Sequence, residues 1–165
     1  MRLPEFLIVG TMKSGTFTLV HYLCAHPAVF MCPKELHYFD RDENYAQGPL
    51  FYSSLFENVD SKLYNDSSVI MGEKTPTYSF LPKCAQRIHE TVPQAKLVWI
   101  LRDPVKRTVS NYKHARKKGR DLRSLRKAVR SEIAGMETDI FRCYIKRSLY
   151  IEQIKRFLKF YSIEN

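Results

Sequence analysis

Short apolar runs alternate with polar turns and helix-compatible segments along much of the chain. Three runs have the continuous hydrophobicity of buried parallel strands: Phe6–Val9, Ser68–Met71 and Leu97–Leu101. A polar turn follows each run, and a segment with helical spacing follows each turn. Three strand–turn–helix repeats predict an α/β fold in which a parallel β-sheet is flanked by helices.

Helical spacing covers most of the remaining chain. Asp103 and Pro104 are the residue types of a helix N-cap and a first helical position, so a helix is expected to begin there. The other predicted helices are Thr16–Leu23, Pro49–Phe56, Lys83–Thr91, Leu122–Ile133 (ended by Gly135) and Ser148–Tyr161. The last of these has an apolar stripe that is expected to pack in the core, formed by Leu149, Tyr150, Ile154, Phe157, Leu158 and Tyr161.

The length of 165 residues and an apolar content of 44% predict one domain over residues 1–165. No run approaches the roughly 18 apolar residues of a membrane span. The N-terminus lacks the pattern of a signal peptide, so the chain as written is expected to be cytoplasmic. An apolar strand would normally follow the last helix of such a sheet. We therefore expect the C-terminal part of the domain to be missing.

The four cysteines have no spacing that indicates a metal site. Cys24, Cys32, Cys84 and Cys143 form no CxxC pair, and no histidines stand at zinc spacing from them. Free thiols are expected, although four cysteines also allow two disulfides. No metal is expected.

Positive charge is concentrated in one part of the sequence. The formal net charge is +10, and the stretch 102–130 holds twelve Lys/Arg but only the acids Asp103 and Asp121. A solvated helical face would account for this composition. A surface for a polyanion would account for it equally, with a sulfated glycan, a nucleic acid, a nucleotide or a membrane as the partner.

The turn after the first predicted strand has the composition of an anion site. Gly10-Thr11-Met12-Lys13-Ser14-Gly15-Thr16-Phe17-Thr18 combines small residues, a lysine and a following helix N-terminus. The lysine precedes the last glycine, which is the reverse of the Walker A order. We expect this loop to bind phosphate or phosphosulfate rather than to be a plain turn.

A second anion site is predicted after the strand Leu97–Leu101. Arg102 stands at the strand end, and Ser110 lies two turns into the next helix. Arginine can hold a phosphate through two parallel hydrogen bonds, and a hydroxyl can add another. Alternatively, Arg102 pairs with a carboxylate and Ser110 is an ordinary helix residue.

Two further segments carry groups suited to proton transfer and charge stabilisation. Glu35, His37 and Asp40 stand among aromatic residues, which could raise the pKa of a carboxyl towards that of a useful base. Lys74 lies in the turn predicted after the strand Ser68–Met71. Because ligands of parallel sheets bind beyond the carboxyl ends of the strands, these turns are expected to open onto one edge.

These motifs resemble the sulfotransferases that use PAPS (3′-phosphoadenosine 5′-phosphosulfate), with a P-loop-like fold. The loop Thr11–Thr16 and the Leu-Arg-Asp-Pro…Ser block resemble the two PAPS-binding signatures of that family. Three further segments are most similar to the heparan sulfate glucosamine 3-O-sulfotransferases: Lys34–Asp40, Glu73–Tyr78 and Arg147–Tyr150. The resemblance covers nearly the whole chain in the same order.

The resemblance implies a role for each matched residue. Lys13 and the amides of Ser14, Gly15, Thr16, Phe17 and Thr18 would hold the 5′-phosphosulfate, and Arg102 and Ser110 the 3′-phosphate. Glu35 would be the general base, and Lys13 and Lys74 would stabilise charge on the leaving nucleotide. His37, Asp40 and Lys74 would contact the acceptor. Ser14 departs from the heparan sulfate branch, which often has glycine there.

The expected reaction is transfer of the sulfuryl group from PAPS to a hydroxyl or amine of an acceptor, with PAP as the product and no metal. The expected acceptor is a carbohydrate such as an anionic polysaccharide, and a nucleic-acid partner is not expected. The site would lie in the Golgi lumen if the chain is part of a membrane-anchored enzyme. The alternatives are a polyanion-binding or degenerate sulfotransferase-fold protein, or a nucleotide kinase, which would need ATP and magnesium.

Overall fold

The structure is a computed structural model that describes residues 1–162. Its elements, in chain order, are β1 (Phe6–Gly10), α1 (Thr16–Cys24), β2 (Val29–Met31), α2 (Asp42–Tyr45), α3 (Gly48–Glu57), α4 (Ser61–Asn65), β3 (Ile70–Lys74), α5 (Pro82–Thr91), β4 (Lys96–Trp99), α6 (Pro104–Lys117), α7 (Leu125–Ile133), the 3-10 helices Ile140–Arg142 and Lys146–Ser148, and α8 (Tyr150–Phe157). None of the helices in this described part combines the length and the hydrophobicity that a bilayer span requires.

The four strands form one parallel sheet in the order β2-β3-β1-β4. β1 lies between β3 and β4, so that Phe6 is in register with both Gly72 and Lys96. Leu7, Ile8 and Val9 are completely buried, as the continuous apolar run predicts for a central strand. The predicted α/β class with a parallel sheet is confirmed.

The strand predictions require three corrections. The strand predicted over Leu97–Leu101 runs from Lys96 to Trp99 at the edge of the sheet, and Leu101 is exposed. The edge strand β2 was not predicted, because a pairing of only three residues leaves no periodic pattern in the sequence. β3 begins two residues later than the predicted Ser68–Met71 and continues to Lys74. Ser68 instead donates its backbone N–H to the carboxylate of Asp66, in a turn before the strand. Lys74 therefore stands on the last residue of a strand, not in a turn.

Side-chain caps set the helix boundaries. Asp103 caps α6 as predicted, accepting the N–H of Lys106 at 2.7 Å. α7 begins at Leu125 rather than Leu122, because Ser124 is its N-cap and Leu122 remains 80% exposed.

α8 is shorter than the predicted helix Ser148–Tyr161, and its predicted stripe is only partly correct. Phe157 is buried, but Leu149 and Leu158 are exposed. A 3-10 turn before the helix changes its phase, so that Gln153 takes a buried position and donates to the carbonyl of Arg147 at 3.0 Å.

A cluster of buried aromatic rings supports the segment after β2. Tyr38 stacks on Tyr52 of α3 with ring centroids 4.3 Å apart, and Phe39 packs edge-on against Tyr52 and Tyr78. These rings belong to the main core under the sheet. They fix the backbone that carries Glu35 and His37 at the carboxyl edge of the strands.

Candidate functional site

The loop between β1 and α1 is held by its own hydroxyl groups. The Thr11 hydroxyl lies 2.6 Å from that of Ser14, and Thr11 also bonds through its N–H and hydroxyl to the carbonyl of Ile100. Lys13 and Gly15 take left-handed conformations, with φ of 71° and 103°. No side chain caps α1 at Gly15, so the first amides of the helix stay available to a ligand.

Arg102 contacts this loop directly. Its guanidinium donates to the backbone carbonyl of Lys13 at 3.2 Å, which brings the two predicted anion sites together. Arg102 forms no ion pair with a carboxylate anywhere in residues 1–162. Ser110 lines the same cleft from the second turn of α6. The alternative in which Arg102 is neutralised by a carboxylate therefore does not apply.

Glu35, Lys74 and His37 form a chain of polar contacts across the cleft. Lys74 Nζ lies 2.5 Å from Glu35 Oε1, and Glu35 Oε2 lies 3.6 Å from His37 Nε2. The lysine comes from the end of β3 and the glutamate from the segment after β2. Two neighbouring parallel strands thus deliver the pair to one edge of the sheet.

Asp40 lies behind His37 rather than on the wall of the cleft. Its Oδ2 is 2.8 Å from His37 Nδ1, and its side chain is 5% exposed. This hydrogen bond raises the pKa of His37 above its ordinary value, while burial opposes the shift. The ring orientation is set by the bond, so Nε2 points to Glu35.

The aromatic neighbours of Glu35 in sequence do not surround it. Tyr38 and Phe39 turn into the core, and the Glu35 side chain is 38% exposed beside Lys74. Burial instead raises the pKa of a different carboxyl, that of Glu73, to about 7. Hydrogen bonds from Tyr52, Thr75 and Tyr78 counteract part of that shift.

All the residues predicted for the site except Ser14, Thr18 and Asp40 line one cleft of about 640 Å³. Five Lys/Arg side chains line it, and among the described lining residues Glu35 is the only carboxylate. The complete lining is Met12, Lys13, Gly15, Thr16, Phe17, Glu35, His37, Arg41, Lys74, Pro76, Thr77, Arg102, Ser110, Asn111, His114, Ala115, Arg120 and Phe141. The predicted meeting of several turns at one edge is confirmed.

Two side chains on the inner face of α6 escaped the sequence analysis. Arg107 is fully buried and donates to the hydroxyl of Ser148 at 2.6 Å and to the carbonyls of Met12 and Tyr144. Asn111 is also fully buried and lines the cleft, and neither atom of its amide has a partner among the described residues. Arg107 and Asn111 are four residues apart, a spacing that places both on one face of a helix. The many basic residues around them made Arg107 look like part of an exposed charged surface.

The part of the cleft that Arg120 and Phe141 line was also not predicted. Arg120 places its guanidinium 4.9 Å from the ring centroid of Phe141, and both line the cleft. Burial lowers the pKa of His114, and Lys13 lowers it further by repulsion. Cations and an aromatic ring thus extend the site beyond Ser110.

The described residues contain no candidate metal site. Within residues 1–162 no three His, Cys, Asp or Glu side chains are grouped as a metal ion would require. The four cysteines are free, with Cys24 exposed and Cys32, Cys84 and Cys143 buried.

Comparison with known proteins agrees with this geometry. A sequence model described as "Sulfotransferase family" matches residues 34–152, which include Glu35, Lys74, Arg102 and Ser110. This chain belongs to the sulfotransferase family. The resemblance inferred from the motifs is therefore confirmed.

Several curated sulfotransferases are similar over nearly the whole chain. Heparan sulfate glucosamine 3-O-sulfotransferase 5 of Mus musculus is 31% identical over 166 residues, covering 99% of this chain and 46% of the relative. Heparan sulfate glucosamine 3-O-sulfotransferase 6 of Homo sapiens is 32% identical, with coverage of 99% and 45%. The chain thus spans about half the length of these sulfotransferases.

A membrane-associated relative and a solved structure extend the comparison. Membrane-associated sulfotransferase kil1 of Dictyostelium discoideum is 41% identical over 111 residues, or 67% of this chain and 22% of the relative. The crystal structure of a sulfotransferase from Alicyclobacillus acidocaldarius matches with a TM-score of 0.81 and 30% identity, covering 99% of this chain and 71% of that one. The sulfotransferase fold is confirmed by this match.

Proposed function

We propose that this chain binds PAPS and transfers its sulfuryl group to a hydroxyl or amine of a carbohydrate acceptor. The observation that carries the proposal is the single cleft shared by Lys13, Arg102 and the Glu35–Lys74 pair. The contact between Arg102 and the Lys13 carbonyl supports a site for a ligand with two anionic ends.

The cleft fits the donor in size and charge. Its volume of about 640 Å³ lies within the range of roughly 300–1,000 Å³ for small-molecule sites. Lys13 and the open amides of α1 would hold the 5′-phosphosulfate, and Arg102 with Ser110 would hold the 3′-phosphate. The unpartnered amide of Asn111 would add a donor and an acceptor beside them.

Glu35 and Lys74 would carry out the chemical step. Glu35 accepts the proton of the acceptor hydroxyl as its oxygen attacks sulfur in line with the bridging oxygen. A new O–S bond forms while the S–O bond to the nucleotide breaks, and the electron pair leaves on the nucleotide phosphate. Lys13 and Lys74 stabilise the charge that develops there. Lys74 must therefore move part of its hydrogen bonding from Glu35 to the leaving oxygen.

The proposed acceptor is an anionic glycan of the glycosaminoglycan type, as the names of two relatives state for those proteins. Of the twelve Lys/Arg between 102 and 130, only Arg107 and Arg123 are withdrawn from the surface, and the other ten are exposed. Such a surface attracts polyanions and accelerates their encounter. If the chain is part of a membrane-anchored protein, the Golgi lumen is the proposed compartment.

Transfer of radiolabelled sulfate from PAPS to a panel of glycans tests this function. The assay uses the chain of residues 1–165, and calorimetry with PAP is compared with calorimetry using ATP and magnesium. PAP binding together with label transfer is the expected result. Binding of ATP without PAP would indicate the kinase alternative. Salt-sensitive heparin binding without PAP binding would indicate a polyanion-binding module.

A further inference from the structure

The carboxylate of Glu73 is buried at the end of β3 without a cationic partner. It is completely inaccessible, and no Lys or Arg of residues 1–162 bonds to it. Three hydroxyl groups donate instead: Tyr52 to Oε1 at 2.5 Å, Tyr78 to Oε1 at 3.1 Å and Thr75 to Oε2 at 3.0 Å. A buried carboxylate is costly unless its oxygens are satisfied in this way. Packing alone does not explain why a carboxylate occupies this buried position.

Glu73 lies directly beside the cleft but faces away from it. Side chains alternate along a strand, so Lys74 points to the cleft while the preceding Glu73 points into the core. The groups that face Glu73 come from three elements: Tyr52 of α3, Thr75 and Tyr78 after β3, and Cys32 after β2, with Asp40 farther away. The burial that raises the pKa of Glu73 also raises those of Tyr52 and Tyr78.

Two of these donors connect Glu73 to the segment that carries Glu35. Tyr78 Oη donates its proton to Glu73 and accepts the backbone N–H of Tyr38 at 3.0 Å. Tyr52, the second donor, stacks flat on the Tyr38 ring at 4.3 Å. Tyr38 directly follows His37. Both routes from Glu73 therefore end at Tyr38, one at its backbone N–H and the other at its ring.

We propose that Glu73 is a positioning residue whose carboxylate, through Tyr78 and Tyr52, holds the Glu35–His37 segment against Lys74. The effect of Glu73 on catalysis rests on the proposed function, whereas its effect on the position of the segment does not. The hydroxyl of Tyr78 gives its one proton to Glu73 and uses its oxygen to accept the N–H of Tyr38. A methionine at position 73 has a similar length but no carboxylate oxygen, so Tyr52 and Tyr78 would lose their acceptor and the segment would be released.

Lysine reactivity measures this positioning without any assay of transfer. Lys74 and Lys83 are each paired with one carboxylate, Glu35 at 2.5 Å and Asp42 at 2.7 Å, so Lys83 serves as an internal reference. Competitive acylation at pH 8, read by mass spectrometry, gives the ratio of their rates. Loss of a partly exposed ion pair should raise the ratio Lys74/Lys83 by about threefold in Glu73→Met.

Matched variants separate positioning from general destabilisation. Tyr78→Phe removes the link to Tyr38 but keeps the ring, so it should raise the same ratio even if Glu73→Met does not fold. Glu90→Gln is the control, because Glu90 accepts from Tyr45 at 2.9 Å outside the cleft. The control should leave the ratio unchanged. An unchanged ratio in folded Glu73→Met, or in Tyr78→Phe, overturns the proposal.

Transfer kinetics then connect the positioning to activity. Glu73→Met should lower kcat by about tenfold or more, because misplacing reacting groups by about 1 Å is costly, while the Kd for PAP changes less than about twofold. If the ratio Lys74/Lys83 rises but kcat equals that of the wild type, the positioning role is contradicted. A changed lysine ratio in a protein whose wild type transfers no sulfate would reject the proposed function and leave the positioning of Lys74 in place.

Discussion

At the scale of single residues, the two carboxylate oxygens of Glu35 have different neighbours. Lys74 donates to one oxygen at 2.5 Å, and His37 lies 3.6 Å from the other. The lysine occupies a lone pair of one oxygen of the carboxylate that would act as the general base. His37 Nε2 is 3.6 Å from the second oxygen, which is longer than a hydrogen bond, so this oxygen stays open to the cleft. An acceptor hydroxyl would approach this second oxygen.

Glu35→Gln should bind PAP as the wild type does but lose transfer. The amide keeps the shape of the side chain and cannot accept a proton, so the rate should fall on the order of 10²–10³. Calorimetry and the radiolabel assay measure the two quantities on the same preparation. Turnover within about tenfold of the wild type would show that Glu35 is not the base.

Asp40→Asn should lower the pKa of His37. The hydrogen bond from His37 to Asp40 is the main cause of the raised pKa, and an amide oxygen stabilises the imidazolium less than a carboxylate. Because the folded-state pKa is raised, this pair stabilises the protein fully below pH 6.5, its ordinary value, and the stabilisation is lost as the pH rises through the folded value. Asp40→Asn should weaken that pH dependence.

NMR titration of the His37 ring, with the exposed ring of His21 as reference, checks the shift. A His37 titration that is the same in the wild type and in Asp40→Asn would contradict the assigned cause.

At the scale of elements, α6 joins the two halves of the site. Its capped N-terminus follows Arg102, its outer turns carry Ser110 and His114, and its inner face anchors Arg107. The cap was predictable, because Asp-Pro at a helix start acts through neighbouring residues only. The role of Arg107 was not, since Met12 and Ser148 are distant in sequence. The edge strand β2 was missed for the related reason that its stability comes from pairing with β3.

Arg107→Met should destabilise the fold while its neighbour Lys106→Met does not. The guanidinium satisfies the Ser148 hydroxyl and the Met12 and Tyr144 carbonyls inside the protein, and removing it should cost about 2–4 kcal/mol. Lys106 is exposed, so its replacement should cost less than about 0.5 kcal/mol. Urea denaturation gives both values. Equal losses for the two variants would contradict the structural role of Arg107.

At the scale of the whole molecule, one sheet edge collects groups from loops that are far apart in the chain. The three predicted strands placed the turns with Lys13, Lys74 and Arg102 at one edge, because the carboxyl ends of parallel strands share an edge. Glu35 and Ser110, which were assigned to the same site from their motifs, also line the cleft. The sequence did not point to Asn111, Arg120 or Phe141, because their positions depend on how α6 and the chain after α7 pack. Local patterns do not encode that packing.

The most direct test of the central claim is calorimetric titration of the wild type and Arg102→Ala with two nucleotides, PAP and adenosine 5′-phosphosulfate, which lacks the 3′-phosphate. The claim is that Arg102 and Lys13 bind opposite ends of one ligand. Arg102→Ala should weaken PAP binding by about 10-fold or more, as expected for a lost charge-assisted contact, and leave binding of the second nucleotide unchanged. Lys13→Ala should weaken both. Failure of the wild type to bind PAP, or an equal loss for both nucleotides in Arg102→Ala, would contradict the account.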